Sequence, residues 1–279
     1  MNKVKIDWKA LTTMKYLIGL FCLSLATIAN FSCAQADSLA SATVIHYKII
    51  AERSHKPSLF TQGFLVKDGN FYESSGLYAK SQLVAYPIAE PESAWAKMTA
   101  PFTQKQRVPD RFFAEGLTLL NNNLYLLTWQ EGTVFVYDAA NFSLLKTLNY
   151  TGQGWGLATD GKHLIRSDGS NQLFFHNAES FAVEKTITVK YKQEAITELN
   201  ELEYAEGFIW ANIWHDNRIL KINPATGEVI GAMDLSQTAN SLKLKDTESV
   251  LNGIAYDADK KAFWITGKQW PKMFLVKVQ

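Results

Sequence analysis

The chain has 279 residues, 47% of them apolar and 13% aromatic, with 28 basic and 27 acidic side chains and a formal net charge of +1. That apolar content excludes wholesale disorder. Near-neutrality argues against nucleic acid as a partner, because phosphate binding needs a clustered cationic surface. Two cysteines cannot build a disulfide framework or a four-thiolate zinc site.

Residues 1–36 form a segment of their own. Lys3, Lys5, Lys9 and Lys15 precede the apolar run Tyr16 to Ile28, and Ala34-Gln35-Ala36 follow just ahead of Asp37. A basic head, an apolar stretch and an A-x-A end predict a secretory signal peptide cleaved after Ala36. The mature protein, residues 37–279, is then exported, periplasmic or secreted, with no membrane contact beyond that segment. The run is short for a helix that must cross about 30 Å of hydrocarbon. Met14 is an alternative start, and an uncleaved anchor is the competing reading. Lipidation at Cys33 is disfavoured by Asn30 and Phe31. Cleavage removes four lysines and one aspartate, leaving a formal charge of −2, and takes away both Cys22 and Cys33. A cysteine nucleophile and a disulfide are thereby excluded from the mature chain.

From Asp37 onward there is almost no helical periodicity. Short runs of aromatic and β-branched residues alternate with Asn, Asp and Gly turns, the pattern of strands and hairpins. The run Thr43–Ile50 alternates and predicts a strand. A repeat then unfolds along the chain. Gly63-Phe64-Leu65 leads through Asp68-Gly69 to Phe71-Tyr72, and Gly116-Leu117-Thr118 through Asn121-Asn122-Asn123 to Leu124-Tyr125. Gly156-Leu157-Ala158, Glu201-Leu202-Glu203 and Gly253-Ile254-Ala255 open three more units. The starts are 53, 40, 45 and 52 residues apart. Third strands follow at Thr133–Tyr137, Gln172–His176, Arg218–Ile222 and Met273–Val278. A fourth follows where Asn223-Pro224-Ala225-Thr226-Gly227 turns into Glu228–Met233. Four strands per unit of roughly 40–50 residues predict an all-β fold, a five-bladed β-propeller of four-stranded antiparallel sheets. The last unit ends after three strands, so Thr43–Ile50 is expected to supply its outer strand and close the ring, which removes open sheet edges. No interior linker marks a second domain.

Equivalent positions of a propeller converge on its central channel. The residues just before each repeat start are Gln62, Glu115, Trp155, Asn200 and Asn252. Trp129 and Trp214 stand thirteen residues after their starts, and Lys268 fifteen after the last. One carboxylate, three amides, several indoles and an ammonium are thus expected in one mouth, the apolar-walled pocket with few polar groups that small ligands use. Satisfying channel waters and neighbouring backbone is the bland alternative for each amide. It is weaker for Glu115, since an unpaired carboxylate among indoles costs several kcal/mol. Trp95 and Trp210 read as packing between blades. There is no G-x-S-x-G elbow or H-E-x-x-H pair, and Gly152-x-Gly154-x-Gly156 lacks the βαβ context of a dinucleotide site. His46, His55, His163, His176 and His215 have no ligand spacing and read as strand or loop surface.

The residues also carry a family resemblance. Phe60-Thr61-Gln62-Gly63 with Tyr72-Glu73-Ser74-Ser75-Gly76-Leu77-Tyr78 resembles the plant and bacterial type of glutaminyl-peptide cyclotransferase. So do Phe113-Ala114-Glu115-Gly116, Leu127-Thr128-Trp129 and Gly154-Trp155-Gly156-Leu157-Ala158-Thr159-Asp160-Gly161. Leu199-Asn200-Glu201-Leu202-Glu203, Trp210-Ala211-Asn212-Ile213-Trp214, Leu251-Asn252-Gly253-Ile254-Ala255, Ile265-Thr266-Gly267-Lys268 and Trp270-Pro271-Lys272 continue it in order to the C-terminus. Ala79 and Ala114 stand where the family pattern has Gly. The resemblance implies a five-bladed propeller that converts N-terminal glutamine of peptides and proteins to pyroglutamate, releasing ammonia without metal or other cofactor. It carries over Phe60, Gln62, Phe113, Glu115, Trp129, Trp155, Asn200, Trp214 and Lys268 as active-site residues, and Asn252 joins them from the ring.

The chemistry fits those residue types. The neutral α-amine attacks, and its ordinary pKa of about 7.7–8.0 needs only a modest push. Glu115 serves as a proton shuttle. Gln62, Asn200 and Lys268 orient the amide and hold the oxyanion, and the aromatic residues close the ring by proximity. A monomer is expected. Two other readings stand: a lactonase-like cation site built from Glu115, Asn200, Asn252 and Asp168, and a propeller that binds peptide ends without turnover.

Overall fold

The computed structural model describes residues 39, 41–88 and 102–279. The signal segment with its cleavage point after Ala36, and Trp95, lie outside the described residues.

Strand β1 (Tyr47–Ser54) comes first in the chain and last in the ring. Blade I contains β2 (Thr61–Lys67), β3 (Asn70–Ser75), β4 (Gln82–Pro87) and β5 (Gln104–Arg107). Blade II contains β6 (Ala114–Leu120), β7 (Asn123–Thr128), β8 (Thr133–Asp138) and β9 (Leu144–Asn149). Blade III contains β10 (Leu157–Thr159), β11 (His163–Arg166), β12 (Gln172–Asn177) and β13 (Val183–Thr188), followed by the small hairpin β14 (Lys190–Tyr191) and β15 (Glu194–Ala195). Blade IV contains β16 (Leu199–Ala205), β17 (Phe208–Ile213), β18 (Arg218–Ile222) and β19 (Val229–Asp234), and the short helix α1 (Ser236–Ser241) leads out of it. Blade V contains β20 (Leu251–Asp257), β21 (Ala262–Gly267) and β22 (Lys272–Val278), with β1 as its outer strand.

Every pairing within the blades is antiparallel. The innermost strands meet in the order β2, β6, β10, β16, β20 and back to β2, so the five sheets form a closed ring. The five-bladed propeller expected from the repeat is therefore the observed fold. Its closing strand begins later than the alternation suggested. Thr43–Ile45 bond to Ala232 at the outer strand of blade IV, and only from Tyr47 does the chain run against β22. Two local features cause the shift. A Cβ on Gly231 would come within 2.9 Å of the Ile45 side chain, so glycine there lets the chain cross blade IV. A bulge between Ile49 and Ala51 then resets the alternation.

Apolar side chains fill the spaces between blades. Leu59, Phe64, Phe71, Tyr86, Trp264 and Leu275 pack between blades V and I. Trp210, Ile219, Ile254, Phe263 and Trp270 pack between IV and V, as expected for Trp210. Two histidines depart from the surface expectation. His55 and His176 are fully covered, the first by bonding Glu73 and the Trp270 carbonyl, the second by stacking on Phe181 with centroids 4.0 Å apart.

Candidate active site

Four of the five innermost strands begin with a bulge, and the repeat's polar residues sit on those bulges. In β2, Thr61 faces Ser75 and Gly63 faces Ser74, which leaves Gln62 as the extra residue. In β6, Glu115 and Gly116 lie between the pairs Ala114–Thr128 and Leu117–Leu126. Asn200-Glu201 and Asn252-Gly253 do the same in β16 and β20. A bulge frees side chains from the regular alternation and re-aims them, which is why Gln62, Glu115 and Asn200 turn into the channel mouth. It also frees backbone groups, and these must bond elsewhere. The neighbouring blade supplies the partners. Ser74 Oγ donates to the Glu115 carbonyl at 2.5 Å, Ser167 Oγ to the Asn200 carbonyl at 2.6 Å, and Asn252 Nδ2 to the Thr61 carbonyl at 2.9 Å. The Gly253 N–H donates to Asn212 Oδ1 at 3.0 Å.

Such close stitching explains the glycines at the repeat starts. A Cβ on Gly116 would lie 2.4 Å from the Leu157 nitrogen of the next blade, inside any permitted contact. In blade IV the place of that glycine is taken by Glu201. Its carboxylate accepts the N–H groups of Ile254 at 2.8 Å and Phe64 at 3.4 Å, joining blades IV, V and I at the centre of the ring.

Above this bracing lies a pocket of about 260 Å³ lined by Phe60, Gln62, Leu77, Phe113, Glu115, Trp129, Trp155, Asn200, Trp214, Glu248 and Lys268. Nine of the ten residues expected in the site meet there. Asn252 does not. It is fully buried behind the wall, where Nδ2 bonds Thr61 and approaches Gln62 Oε1 at 3.3 Å, so it holds Gln62 in place. Asp168 also stands apart, tied to Ser170 and 3.9 Å from Arg166, so the donor set of the lactonase-like reading is not assembled. Among the described residues, no group of three or more His, Cys, Asp or Glu is placed to hold a metal ion.

Glu115 is 5% exposed and Lys268 equally so. Gln62 Nε2 donates to Glu115 Oε1 at 3.0 Å. Burial pushes the Glu115 carboxyl well above the usual carboxylate range; Lys268 draws it partly back, and Glu131 adds to the rise. Burial likewise lowers the Lys268 ammonium, against the pull of Glu115 and Glu248. Lys268 Nζ lies 5.0 Å from the Phe60 ring centroid, a cation–π contact that takes the place of some lost hydration.

The aromatic wall is braced as well. Phe113 meets Phe60 and Trp129 edge-on, and Trp155 meets Trp214 at 88° with centroids 5.8 Å apart. Gln153 Oε1 accepts the indole N–H groups of both Trp129, at 2.7 Å, and Trp155, at 2.9 Å. Trp214 Nε1 and Asn200 Oδ1 are buried and have no hydrogen-bond partner among the described residues. One donor and one acceptor are therefore left for a ligand. Sequence reasoning missed Leu77, Gln153 and Glu248. Gln153 could have been noticed from its place between Gly152 and Gly154, beside Trp155. Glu248 precedes its strand in a link with no repeat counterpart.

Comparison with known proteins places this geometry in context. A family model described as glutamine cyclotransferase matches residues 22–278. The glutaminyl-peptide cyclotransferase of Arabidopsis thaliana is 36% identical over 237 residues, covering 83% of this chain and 71% of that protein. The crystal structure of Myxococcus xanthus glutaminyl cyclase superposes with a TM-score of 0.77 at 35% identity, covering 86% of this chain and 99% of that one.

Proposed function

The chain belongs to the glutamine cyclotransferase family, and on that premise we propose that Glu115 is the proton shuttle of a glutaminyl-peptide cyclotransferase. The enzyme converts the N-terminal glutamine of peptides to pyroglutamate and releases ammonia. The observation that carries the assignment of Glu115 is its state: a deeply buried carboxyl, bonded by Gln62 and facing an aromatic pocket beside Lys268.

The α-amine attacks the side-chain carbonyl carbon, and one proton must pass from that amine to the departing amide nitrogen. Burial favours the protonated form of this carboxyl, so Glu115 can protonate the leaving nitrogen and recover a proton from the new ring nitrogen. Gln62 spends its Nε2 on Glu115, so its role is to aim the shuttle. The free Trp214 Nε1 suits the carbonyl oxygen, with Lys268 supplying positive charge as that oxygen becomes anionic. Asn200 Oδ1 suits an amine or amide N–H. The braced indoles hold the substrate folded, so that amine and carbonyl meet as one unit.

The first test is incubation of the purified protein with a Gln-initiated peptide. Loss of one ammonia from the peptide mass, with ammonia appearing in solution, is the expected result. An unchanged peptide refutes the assignment. The reading extends to export with cleavage after Ala36 and to a monomeric enzyme. Its supports are the basic head, apolar run and A-x-A end of residues 1–36, and the closed ring of blades. Among the described residues, no helix is long and apolar enough to cross a membrane. N-terminal sequencing and sedimentation check both points; a retained apolar run or a stable dimer would contradict them.

A further inference from the structure

The catalytic assignment leaves one pocket-lining carboxylate without a role. Glu248 stands on the link between α1 and β20, and the link is braced on both sides of it. Its own N–H donates to Asp246 Oδ1 at 2.9 Å, and Ser249 Oγ donates to Gln269 Oε1 at 3.2 Å. Trp270 Nε1 donates to the Ser249 carbonyl at 3.0 Å, and the Lys268 N–H to the Val250 carbonyl at 2.9 Å. The segment that carries Glu248 is thus fastened to the turn that carries Lys268.

The two carboxyls of the pocket differ in depth. The Glu248 side chain is 46% exposed, whereas Glu115 is 5% exposed. Glu248 therefore marks the mouth, and Glu115 and Lys268 the floor. Its neighbour at the mouth is His215, with Nε2 3.5 Å from Glu248 Oε1 and its side chain 41% exposed. That is a long, solvent-facing contact which an arriving ammonium can displace. Among the lining residues, the mouth offers indole faces and this carboxylate, while the one cation, Lys268, lies beneath. Once glutamine fills the pocket, the rest of the peptide leaves through the mouth that Glu248 helps to line.

We propose that Glu248 is a specificity-determining residue, selecting among N-terminal glutaminyl peptides those with a lysine or arginine directly after the glutamine. The proposal rests on the cyclotransferase reading above and deepens it by naming the preferred substrates. An exposed ion pair yields a modest gain, so the preference for Gln-Lys over Gln-Glu peptides should be about three- to tenfold in kcat/KM. It should appear in KM, because the mouth contact is the same in ground state and transition state.

The experiment measures kcat/KM for two peptides that differ only in Lys or Glu after the glutamine, using the full-length protein, Glu248→Gln and Glu248→Lys. Taking the ratio for each enzyme cancels any effect of Glu248 on Lys268 that both peptides share. The expected ratio favours Lys in the wild type, falls toward one in Glu248→Gln and inverts in Glu248→Lys. The wild-type preference should also shrink in about 0.5 M salt, where screening operates over a few ångströms. Equal ratios in the wild type and Glu248→Lys overturn the proposal and leave the cyclotransferase assignment standing. Absence of product from both peptides overturns the two together. Glu248 is partly exposed on a link, so folding of the variants can be confirmed by thermal melting before the ratios are read.

Discussion

Glu115 and Glu73 are both buried carboxylates on the inner half of the ring, yet their surroundings differ. Glu73 accepts from Thr61 Oγ1 at 2.7 Å, from Tyr86 OH at 2.6 Å and from His55 Nε2 at 3.2 Å. It joins blade I to the loop after β1, where the N-terminal strand closes blade V. Glu115 takes its side-chain bond from Gln62 and otherwise faces a pocket. Burial alone does not mark a reactive carboxyl. What separates them is whether the fold uses up the oxygens: a saturated carboxylate is a fastener, and one left short of partners is available to substrate.

The sharpest way to test this contrast is Glu115→Gln. Size and hydrogen bonding persist but the exchangeable proton is lost, so kcat should fall about 10²–10⁴-fold with little change in KM. The thermal midpoint at pH 8 should be no lower than that of the wild type, since a poorly solvated carboxyl has been removed. A variant that keeps more than about a tenth of kcat would deny the shuttle role.

Glu73→Gln should show the opposite profile. Breaking a buried network costs about 3 kcal/mol or more, which lowers Tm by roughly 6–12 °C for a domain of this size. The kcat of the folded fraction at 25 °C should stay within about threefold of the wild type. Calorimetry beside initial rates separates the two profiles, and a collapse of kcat without loss of Tm would reverse the assignments.

A pH series sharpens the comparison. Burial raises Glu203 from 4.5 to about 8, against the bonds it accepts from Tyr256 and Tyr204. A raised carboxyl leaves stability intact below 4.5 and removes it as pH climbs through about 8. For His55, burial pulls the imidazole down, but the charge and hydrogen bond of Glu73 and the Trp270 carbonyl outweigh it. The net rise means that its contribution is complete below 6.5 and is lost as pH passes its raised value. Both groups therefore make the protein less stable at pH 9 than at pH 5. Glu203→Gln should recover about 1–3 kcal/mol of that loss after allowing for partial exposure, seen as a flatter plot of Tm against pH. An unchanged slope would remove Glu203 from the account.

The smallest expected effect is that of Ser74→Ala, which deletes the bond to the Glu115 carbonyl at the bulge. About 1 kcal/mol of stability and a few-fold of kcat should go together, because the bulge aims Glu115. A stability loss with kcat untouched would show that the bulge holds its shape without the serine.

Much of this protein was legible in its sequence. The five-unit repeat of turn and β-branched residues specified the blade count, because hairpin chemistry is local and strand alternation has a fixed period. The same repeat led to the ring of Gln62, Glu115, Trp155, Asn200 and Asn252, since equivalent positions of a closed ring converge. Tertiary structure decided the rest. Nothing in the repeat separated Asn252, buried behind the wall with its Nδ2 on Thr61 and Gln62, from Asn200, which lines the pocket. Both occupy the same bulge, and only the packing of adjacent blades distinguishes them. Nor did the sequence show that Thr61, Tyr86 and His55 take up the oxygens of Glu73, or bring Glu248 to the mouth. Those differences depend on contacts between residues far apart in the chain, and hydrogen-bond saturation is a property of the assembled neighbourhood.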